Sequence, residues 1–261
     1  MAGIYKIIAS LILWPLWLVY FVFVMTLFYL YMTFTPQKYY HYFTRPMCWL
    51  FCLSGGQLLK LKGQLPPIHN GPYIYMINHG SLFDLFVIGF YIKHYITAIG
   101  AVEEFRWPIW GTVGDKYGIV PIERSNINNA VHSLNNVEKA IREGISFLIA
   151  PEGTRTRTGE LNKFKKGPFH LSKNTAVSIV PIGIIGGFEA KKKNDWRLKP
   201  GIITTCFGEV ITSFCLMSSI SQSITSKENS IICFELFFSY CYYLLLIIYF
   251  RQSFVLIFIV L

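Results

Sequence analysis

The chain has 261 residues, which is enough for one sizeable α/β domain plus membrane segments, because single domains usually have about 100–200 residues. Its hydrophobic fraction of 53% is high for a soluble domain, and 24 lysines and arginines against 14 acidic residues give a net charge of +10. These values exclude a second catalytic domain, and the positive charge suits a partner that carries phosphate groups.

The first predicted element is a membrane segment. No Asp, Glu, Lys or Arg occurs from Ile7 to Gln37, whereas about 20 apolar residues already cross a hydrocarbon core. Pro15 and Pro36 mark a kink or an end, so the segment either spans once or, with the apolar residues 47–54, forms two interfacial helices. A cleaved signal peptide is not expected, because its apolar region has only about 7–15 residues and needs a small-residue cleavage site. Both arrangements attach the chain to a bilayer.

The charges around this segment predict an orientation. Lys6 and the amino terminus precede it, whereas four basic residues follow it before the first acidic residue, Asp84: Lys38, Arg45, Lys60 and Lys62. Basic residues favour the cytosolic side of a membrane, so the rest of the chain is expected in the cytosol.

Charge and cysteine usage restrict the partners. Residues 155–199 contain 11 basic and 3 acidic residues, which suits the phosphates of lipid headgroups or coenzyme A. Nucleic acid is not expected, because no recognised nucleic-acid-binding module accompanies the charge. The six cysteines lie outside residues 53–205 and form no CxxC pair, so neither a metal site nor a disulfide framework is predicted.

Residues 71–208 alternate short apolar runs with helical periodicity, which predicts an α/β domain with a mixed central sheet flanked by helices. The predicted strands are 73–77, 96–101, 119–122, 145–150, 176–182 and 202–207, and the clearest predicted helices are 82–92 and 126–143. The chain is thus divided into a membrane-associated helical region (1–65), an α/β domain (66–211) and an apolar tail with no assigned role (212–261).

The first motif, NHGSLFD, directly follows a predicted strand. If Gly80 ends the strand and Ser81 caps the next helix, His79 lies on the loop and Asp84 in the first helical turn. The carboxylate can then bond one imidazole nitrogen and leave the other free to take a hydroxyl proton. Alternatively, Asp84 serves only as the acid of a capping box, a role that does not require His79.

The second motif, PEGTRTRTG, follows the strand predicted at 145–150. It places Glu152, Gly153, Thr154 and Arg155 at the carboxyl end of a strand, where α/β sheets bind ligands. The Arg155 guanidinium can hold a phosphate through two hydrogen bonds, and nearby lysines, including Lys165, extend the positive surface. The plain alternative is a solvated basic loop.

Two weaker patterns accompany these motifs. In GIVPIER, Gly118 to Arg124, a strand ends in an acid and a base, which also fits an ordinary surface ion pair. In Val180-Pro181-Ile182, the proline inside a strand pattern predicts an edge strand or a bulge near a pocket.

Together the four motifs resemble those of the glycerolipid acyltransferases, specifically the 1-acylglycerol-3-phosphate (lysophosphatidate) acyltransferase family. NHxxxxD is matched by Asn78, His79 and Asp84, and EGTR is matched in full at residues 152–155. The second family motif is matched at Gly118, Ile122 and Arg124, although Pro121 occupies the usual aromatic position, and the fourth is matched by the Val-Pro-Ile strand. The resemblance covers about residues 40–210, and the apolar tail departs from it.

The resemblance implies that His79 deprotonates the acceptor hydroxyl while Asp84 orients it, and that the oxygen attacks the thioester directly without an acyl-enzyme. It also implies that Arg124 and Arg155 hold the acceptor phosphate, with Glu152 and Gly153 shaping the pocket. The further residues assigned to substrate binding are Asn78, Gly118, Thr154 and Lys165.

The function so implied is transfer of a fatty acyl group from acyl-CoA or acyl carrier protein to lysophosphatidate, giving phosphatidate at a membrane, with no metal or other cofactor. Three alternatives remain open. The acceptor could be another lysophospholipid or an amino-lipid, the chain could be a non-catalytic lipid-binding protein that uses its basic surface alone, or His79 and Asp84 could be ligands in a metal-dependent hydrolase.

Overall fold

The computed structural model describes residues 2–123 and 127–212. Within these ranges the α-helices are α1 (Ala2–Phe34), α2 (Tyr40–Ser54), α3 (Asp84–Tyr91), α4 (Trp110–Tyr117), α5 (Ile127–Arg142), α6 (Gly167–Thr175) and α7 (Gly187–Ala190). The strands in the same ranges are β1 (Gln57–Lys62), β2 (Tyr73–Ile77), β3 (Ile96–Ala101), β4 (Val120–Ile122), β5 (Ser146–Ile149), β6 (Ser178–Ile185) and β7 (Gly201–Phe207).

The strands form one mixed sheet, in the order β1-β7-β6-β2-β5-β3-β4 across the described residues. From β6 to β4 all neighbours are parallel, β7 is antiparallel to β6, and β1 is parallel to β7. The prediction of a mixed α/β sheet flanked by helices is confirmed. Because parallel strands share one carboxyl edge, the loops after β2, β5 and β6 meet there.

The central strand β2 and the strand β3, which lies on the far side of β5, begin and end at the predicted residues. All five residues of β2 are buried, as expected of a parallel strand covered on both faces. The last residues of β6 are the main difference, because this strand extends to Ile185, three residues beyond its predicted end.

The edge strand β1 lies in the region that the sequence assigns to membrane-associated helices. It pairs with β7 along its whole length, from Gln57 opposite Gly201 to Lys62 opposite Cys206. The sheet therefore begins before the predicted boundary at residue 66. Lys60 and Lys62 give this strand the charged character typical of a sheet edge.

The proline in β6 does not mark an edge, so that part of the prediction is wrong. β6 lies inside the sheet, between β7 and β2, and Pro181 pairs with Met76 of β2. The Pro181 carbonyl accepts a hydrogen bond from the Gly208 backbone N–H (2.9 Å) on the β7 side. In an extended strand the N–H would point to the same side, and the β6–β7 ladder starts only at Ile182, so proline removes no ladder bond.

The amino-terminal region consists of a long helix followed by a shorter one. α1 continues through Pro15, and the chain turns after Pro36 through a short 3-10 segment into α2. The helical segment Ile4–Phe34 is long and apolar enough to cross a membrane. Only 17% of its most apolar 18-residue stretch is buried in the protein. Aromatic rings pack between the helices. The ring centroid of Phe51 in α2 lies 5.4 Å from that of Trp17 in α1 and 4.7 Å from that of Phe86 in α3.

A hydrogen-bonded cluster around one half-buried histidine lies at the opposite, amino edge of the parallel strands. His94, just before β3, places its Nε2 atom 3.2 Å from Oγ of Ser146 and 3.5 Å from Oη of Tyr75. The Ser146 hydroxyl oxygen also accepts a hydrogen bond from the Tyr73 backbone N–H (3.0 Å). Burial lowers the pKa of His94 to about 4, so this imidazole is neutral at physiological pH. The cluster joins the first residues of three strands.

Two predictions fall on residues that the structure does not describe. Arg124, a predicted phosphate ligand, lies between the two described ranges, and the predicted tail lies outside them except for Thr212. Both remain predictions from the sequence.

Candidate active site

The loop after β2 brings the predicted histidine and aspartate into contact. Nδ1 of His79 lies 2.9 Å from Oδ2 of Asp84. The same oxygen accepts hydrogen bonds from the backbone N–H groups of Gly80 and Ser81, each at 2.9 Å. One carboxylate oxygen thus folds the loop and holds the imidazole.

Part of the predicted capping arrangement accompanies this contact, although the N-cap of α3 is Phe83 and has no side-chain capping bond. α3 begins at Asp84, two residues later than predicted, and the Ser81 hydroxyl accepts a hydrogen bond from the Phe83 N–H (3.3 Å). Asp84 reaches back to the Ser81 N–H as the acid of a capping box does. The two interpretations of Asp84 are therefore compatible, and only the bond to His79 goes beyond helix capping.

The exposure of the two side chains suits proton transfer. Asp84 is buried, with 1% of its side chain exposed, whereas 21% of the His79 side chain is exposed. An ionised carboxylate can only accept hydrogen bonds, so Nδ1 of His79 carries the proton and Nε2 keeps a free lone pair. That nitrogen can accept a proton from a substrate hydroxyl.

The EGTR turn after β5 is hydrogen-bonded to the backbone of His79. Oε1 of Glu152 accepts the His79 N–H at 2.8 Å, and the Thr156 N–H donates to the His79 carbonyl oxygen at 2.8 Å. The NHxxxxD loop and the EGTR turn, which are 73 residues apart in the sequence, are therefore held together through the backbone of His79.

Glu152 uses both carboxylate oxygens inside the protein. Its Oε2 accepts hydrogen bonds from the backbone N–H and the side-chain amide of Asn162, each at 2.9 Å. Burial raises the pKa of this carboxyl above its ordinary value, and the hydrogen bonds from Asn162 and His79 oppose that shift. This geometry makes Glu152 a positioning residue for His79, whereas its predicted contact with substrate stays a prediction.

The other residues of the turn lie next to the same loop. Gly153 has φ +73°, a left-handed conformation that favours glycine, and its α-carbon faces the aliphatic part of Lys165. Oγ1 of Thr154 accepts a hydrogen bond from Nζ of Lys193 (2.8 Å). Within the described part of the chain, the half-exposed guanidinium of Arg155 has no hydrogen-bond or ion-pair partner. It can therefore bind a ligand.

Two further predicted site residues have structural roles. The Asn78 side chain accepts the Ile184 N–H (2.6 Å) and donates to the Ile184 carbonyl (2.9 Å), which fixes the end of β2 against β6. Gly118 ends α4 with φ +92° and precedes β4, so it lies at the amino edge of the sheet, away from His79. Its carbonyl accepts a hydrogen bond from Thr97 of β3 (2.8 Å). The structure does not bring Gly118 to the His79–Asp84 pair.

The segment after β6 reaches the site, although the sequence motifs do not include it. A Cβ atom at Gly187 would lie 3.0 Å from Oδ1 of Asp84, and Lys193 contacts the EGTR turn. Only the order of the strands could have predicted this contact. β6 is parallel to β2 and beside it, so the segment that follows β6 lies next to the loop that follows β2. Without that order, a glycine pair and a lysine run are typical of any surface loop.

An apolar cavity of about 100 Å³ lies between the first four helices and the sheet. Leu85 and Phe86 in its wall directly follow Asp84 in α3. The rest of the wall is formed by Met25, Phe28, Thr44, Met47, Cys48, Gly89, Ile96, Thr97, Ala98, Trp110, Val113, Gly114, Tyr117, Ile119 and Leu148. A cavity with almost no polar groups suits a hydrocarbon chain.

The fold and these contacts define an α/β protein with a histidine–aspartate pair at the carboxyl edge of its parallel strands. Residues 59–185 match the family model described as Acyltransferase. A 1-acyl-sn-glycerol-3-phosphate acyltransferase from Cocos nucifera is 34% identical over 64% of this chain and 52% of its own length. One from Haemophilus influenzae is 28% identical over 60% of this chain and 61% of its own length. Residues 59–185 of this chain are therefore an acyltransferase domain, similar to that of 1-acylglycerol-3-phosphate acyltransferases.

A solved structure has the same fold. It is the 1-acyl-sn-glycerophosphate acyltransferase PlsC from Thermotoga maritima, with a TM-score of 0.69 and 21% identity over 82% of this chain and 88% of that chain. At this identity the likeness concerns the fold alone. The matched part of the present chain spans about half the length of the coconut relative.

Proposed function

We propose that the protein transfers a fatty acyl group from a thioester donor to the free hydroxyl of 1-acylglycerol-3-phosphate, giving phosphatidate. The observation that carries the proposal is the 2.9 Å contact between His79 and buried Asp84, in a loop hydrogen-bonded to the EGTR turn. The acceptor is that of the similar acyltransferases from Cocos nucifera and Haemophilus influenzae, as their names state it.

In the proposed reaction, Nε2 of His79 takes the proton of the acceptor hydroxyl while the hydroxyl oxygen bonds to the thioester carbonyl carbon. The carbon–sulfur bond then breaks, and the departing thiolate receives the proton from His79. Asp84 stabilises the transient imidazolium and keeps Nδ1 protonated. General-base catalysis of this kind contributes about 10²–10⁴ in rate.

The reaction needs no acyl-enzyme. Ser81 carries the nearest hydroxyl in the histidine loop, but it is 1% exposed, accepts a hydrogen bond from Phe83 and donates to the Lys191 carbonyl. Its oxygen is thus withheld from substrate. Direct attack by the acceptor is the simpler route.

The cavity supports the choice of a fatty acyl substrate. Its wall includes Leu85 and Phe86, which directly follow Asp84 in α3, so we place the thioester end of the chain at this part of the cavity. The cations of the EGTR turn lie on the same loop and suit the acceptor phosphate, where Arg155 can form two parallel hydrogen bonds.

The site is proposed to act at a membrane surface, on its cytosolic side. The apolar α1 is long enough to span, and the basic residues that follow it favour the cytosol. Substrate chains could then enter the cavity from the bilayer between α1 and α2, both of which line it.

The decisive experiment is an acceptor panel with purified full-length protein. Palmitoyl-CoA and palmitoyl acyl carrier protein are offered with lysophosphatidate, glycerol-3-phosphate, lysophosphatidylcholine or an amino-lipid, and products are identified by mass spectrometry. We expect phosphatidate as the main product. His79→Ala should reduce its rate at least 10²-fold, while the matched exposed histidine variant His170→Ala should not.

Retained transfer in His79→Ala, with melting temperatures equal to wild type, would remove the general-base mechanism. Lipid binding without transfer to any acceptor would instead support a non-catalytic lipid-binding protein. Preference for another acceptor would keep the mechanism and change the substrate.

A further inference from the structure

Phe188, in the short helix α7 after β6, lies between the histidine loop and the segment that continues the EGTR turn to Gly159. A Cβ atom at Gly80 would lie 3.4 Å from both Cβ and the backbone nitrogen of Phe188. A Cβ atom at Gly159 would lie 2.9 Å from Cε1 and 3.0 Å from Cδ1 of the Phe188 ring. The histidine loop thus packs on the backbone and Cβ atom of Phe188, whereas the other segment packs on its ring.

The ring supports a series of hydrogen bonds that ends at His79. The Gly159 N–H donates to the hydroxyl oxygen of Thr156 at 3.2 Å, and the Thr156 N–H donates to the His79 carbonyl oxygen at 2.8 Å. Thr156 is buried, with 5% of its surface exposed. Because Arg155 directly precedes Thr156 in the sequence, the position of its guanidinium relative to His79 depends on the same contacts.

Phe188 is itself held in place. Its half-buried ring has Nζ of Lys192 4.9 Å from the ring centroid, which is a favourable cation–π distance. The preceding residue, Gly187, packs against the histidine loop, because a Cβ atom there would lie 3.0 Å from Oδ1 of Asp84. Phe188 is therefore a fixed spacer between the two loops of the site.

We propose that Phe188 is a positioning residue that sets the distance between the general base His79 and the phosphate ligand Arg155, and thereby selects which acceptor hydroxyl reacts. This inference rests on the proposed function and extends it to the choice of hydroxyl. The carbon that bears a free 2-hydroxyl is next to the carbon that carries the phosphate, whereas a free 1-hydroxyl is one carbon further away. A fixed distance between base and phosphate ligand suits only one of these spacings.

The test uses two ether analogues of lysophosphatidate, because an ether-linked chain does not migrate between hydroxyl groups. 1-O-hexadecyl-glycerol-3-phosphate offers the 2-hydroxyl, and 2-O-hexadecyl-glycerol-3-phosphate offers the 1-hydroxyl. Initial rates of the full-length protein in detergent micelles, with palmitoyl-CoA and with palmitoyl acyl carrier protein, give kcat and KM for each analogue.

Three variants are compared with wild type. Phe188→Ala removes the ring from Gly159 but keeps the Cβ atom beside Gly80. Phe188→Leu keeps a large apolar side chain at the same place. Leu161→Ala is the matched control, because it removes an exposed apolar side chain two residues beyond Gly159.

We expect wild type to prefer the 2-hydroxyl analogue and Phe188→Ala to reduce this preference, as a ratio of kcat/KM values, about tenfold, because small displacements of catalytic groups are costly. The loss should fall on the 2-hydroxyl analogue, with kcat/KM for the 1-hydroxyl analogue changed less than about twofold. Phe188→Leu should keep most of the preference, and Leu161→Ala should match wild type. A merely structural defect would lower transfer to both analogues by the same factor.

The inference is overturned if Phe188→Ala leaves the preference unchanged, which includes an equal loss with both analogues. Backbone hydrogen exchange of residues 152–162, measured by mass spectrometry, needs no turnover and separates this result from failure of the proposed function. We expect exchange there to accelerate about tenfold in Phe188→Ala but not in Leu161→Ala. Unaltered exchange overturns the inference at any level of activity. If wild type acylates neither analogue while exchange accelerates in Phe188→Ala, the proposed function is refuted, and Phe188 is retained as the residue that positions the EGTR turn.

Discussion

The two histidines at opposite edges of the parallel sheet show what makes an imidazole useful for catalysis. His79 has a buried carboxylate at 2.9 Å and an exposed face, whereas His94 has two hydroxyl neighbours and a pKa lowered to about 4. A carboxylate stabilises the imidazolium that forms when a proton is taken up, and hydroxyl groups in a buried site do so far less. A position at the end of a strand is thus not enough to make a histidine a general base, because its hydrogen-bond partner determines whether it can take up a proton.

Asp84→Asn should have the largest effect, because it removes the difference between the two histidines. A neutral amide stabilises the imidazolium far less than a carboxylate, although its oxygen can still accept the N–H groups of Gly80 and Ser81. We expect kcat to fall about 10²–10⁴-fold in the acyl transfer assay. The exposed Asp115→Asn on α4 serves as control, and a loss below tenfold would contradict the role of the carboxylate.

Glu152→Gln should have the next largest effect, because it weakens the support of His79 without touching either reacting group. A glutamine can accept the His79 N–H through its oxygen but presents its NH₂ group to Asn162. We expect kcat to fall about tenfold and the melting temperature to drop, since an unsatisfied buried group costs about 1–3 kcal/mol. Glu160→Gln, an exposed acid on the same turn, should behave as wild type.

Gly187→Ala tests how closely Asp84 is confined. The added methyl group would lie 3.0 Å from Oδ1 of Asp84 and 3.4 Å from Cβ of Ser81, so the carboxylate must shift by a few tenths of an ångström. Because small displacements of catalytic groups are costly, we expect roughly a fivefold loss of kcat with little change in KM. Gly201→Ala, whose methyl group meets nothing closer than 3.9 Å, is the control. An unchanged kcat would mean that the loop tolerates the shift.

The smallest effect concerns stability, at the other histidine. Between pH 6.5 and 4 the unfolded chain binds a proton at His94 that the folded chain excludes, so stability is full above pH 6.5 and is lost as the pH falls. We expect a loss on the order of 1 kcal/mol from pH 7 to 5, measured as melting temperature in micelles. His94→Gln should flatten this dependence and keep activity at pH 7 within twofold. If melting temperature falls equally with pH in wild type and His94→Gln, groups other than His94 cause the loss of stability in acid.

The sequence predicts the central features of this fold because they depend on local patterns. β2 is a continuous apolar run, and the loop after it carries its functional residues in one short motif, so the spacing within that motif is enough to pair His79 with Asp84. The EGTR turn could likewise be placed after β5.

The features that the sequence missed depend on strand order. β1 is short and contains two lysines, so it lacks an apolar run and becomes a strand only by pairing with β7. Lys193 lies in a lysine run of the kind that solvated loops contain, and only the neighbouring positions of β6 and β2 bring it to Thr154. Gly118 shows the reverse case, because its motif fits the resemblance but the glycine ends α4 before β4, at the amino edge of the sheet and away from His79. Its assignment to substrate binding stays a prediction.

The pairing of β1 with β7 has a consequence for biosynthesis. Gln57 lies opposite Gly201, so the first strand leaves the ribosome long before the strand that receives it. At about 5–20 residues per second the delay is on the order of ten seconds, during which α1 and α2 can already reach the lipid. On the proposed membrane attachment, α1 therefore inserts before the sheet closes, because β1 must wait for β7.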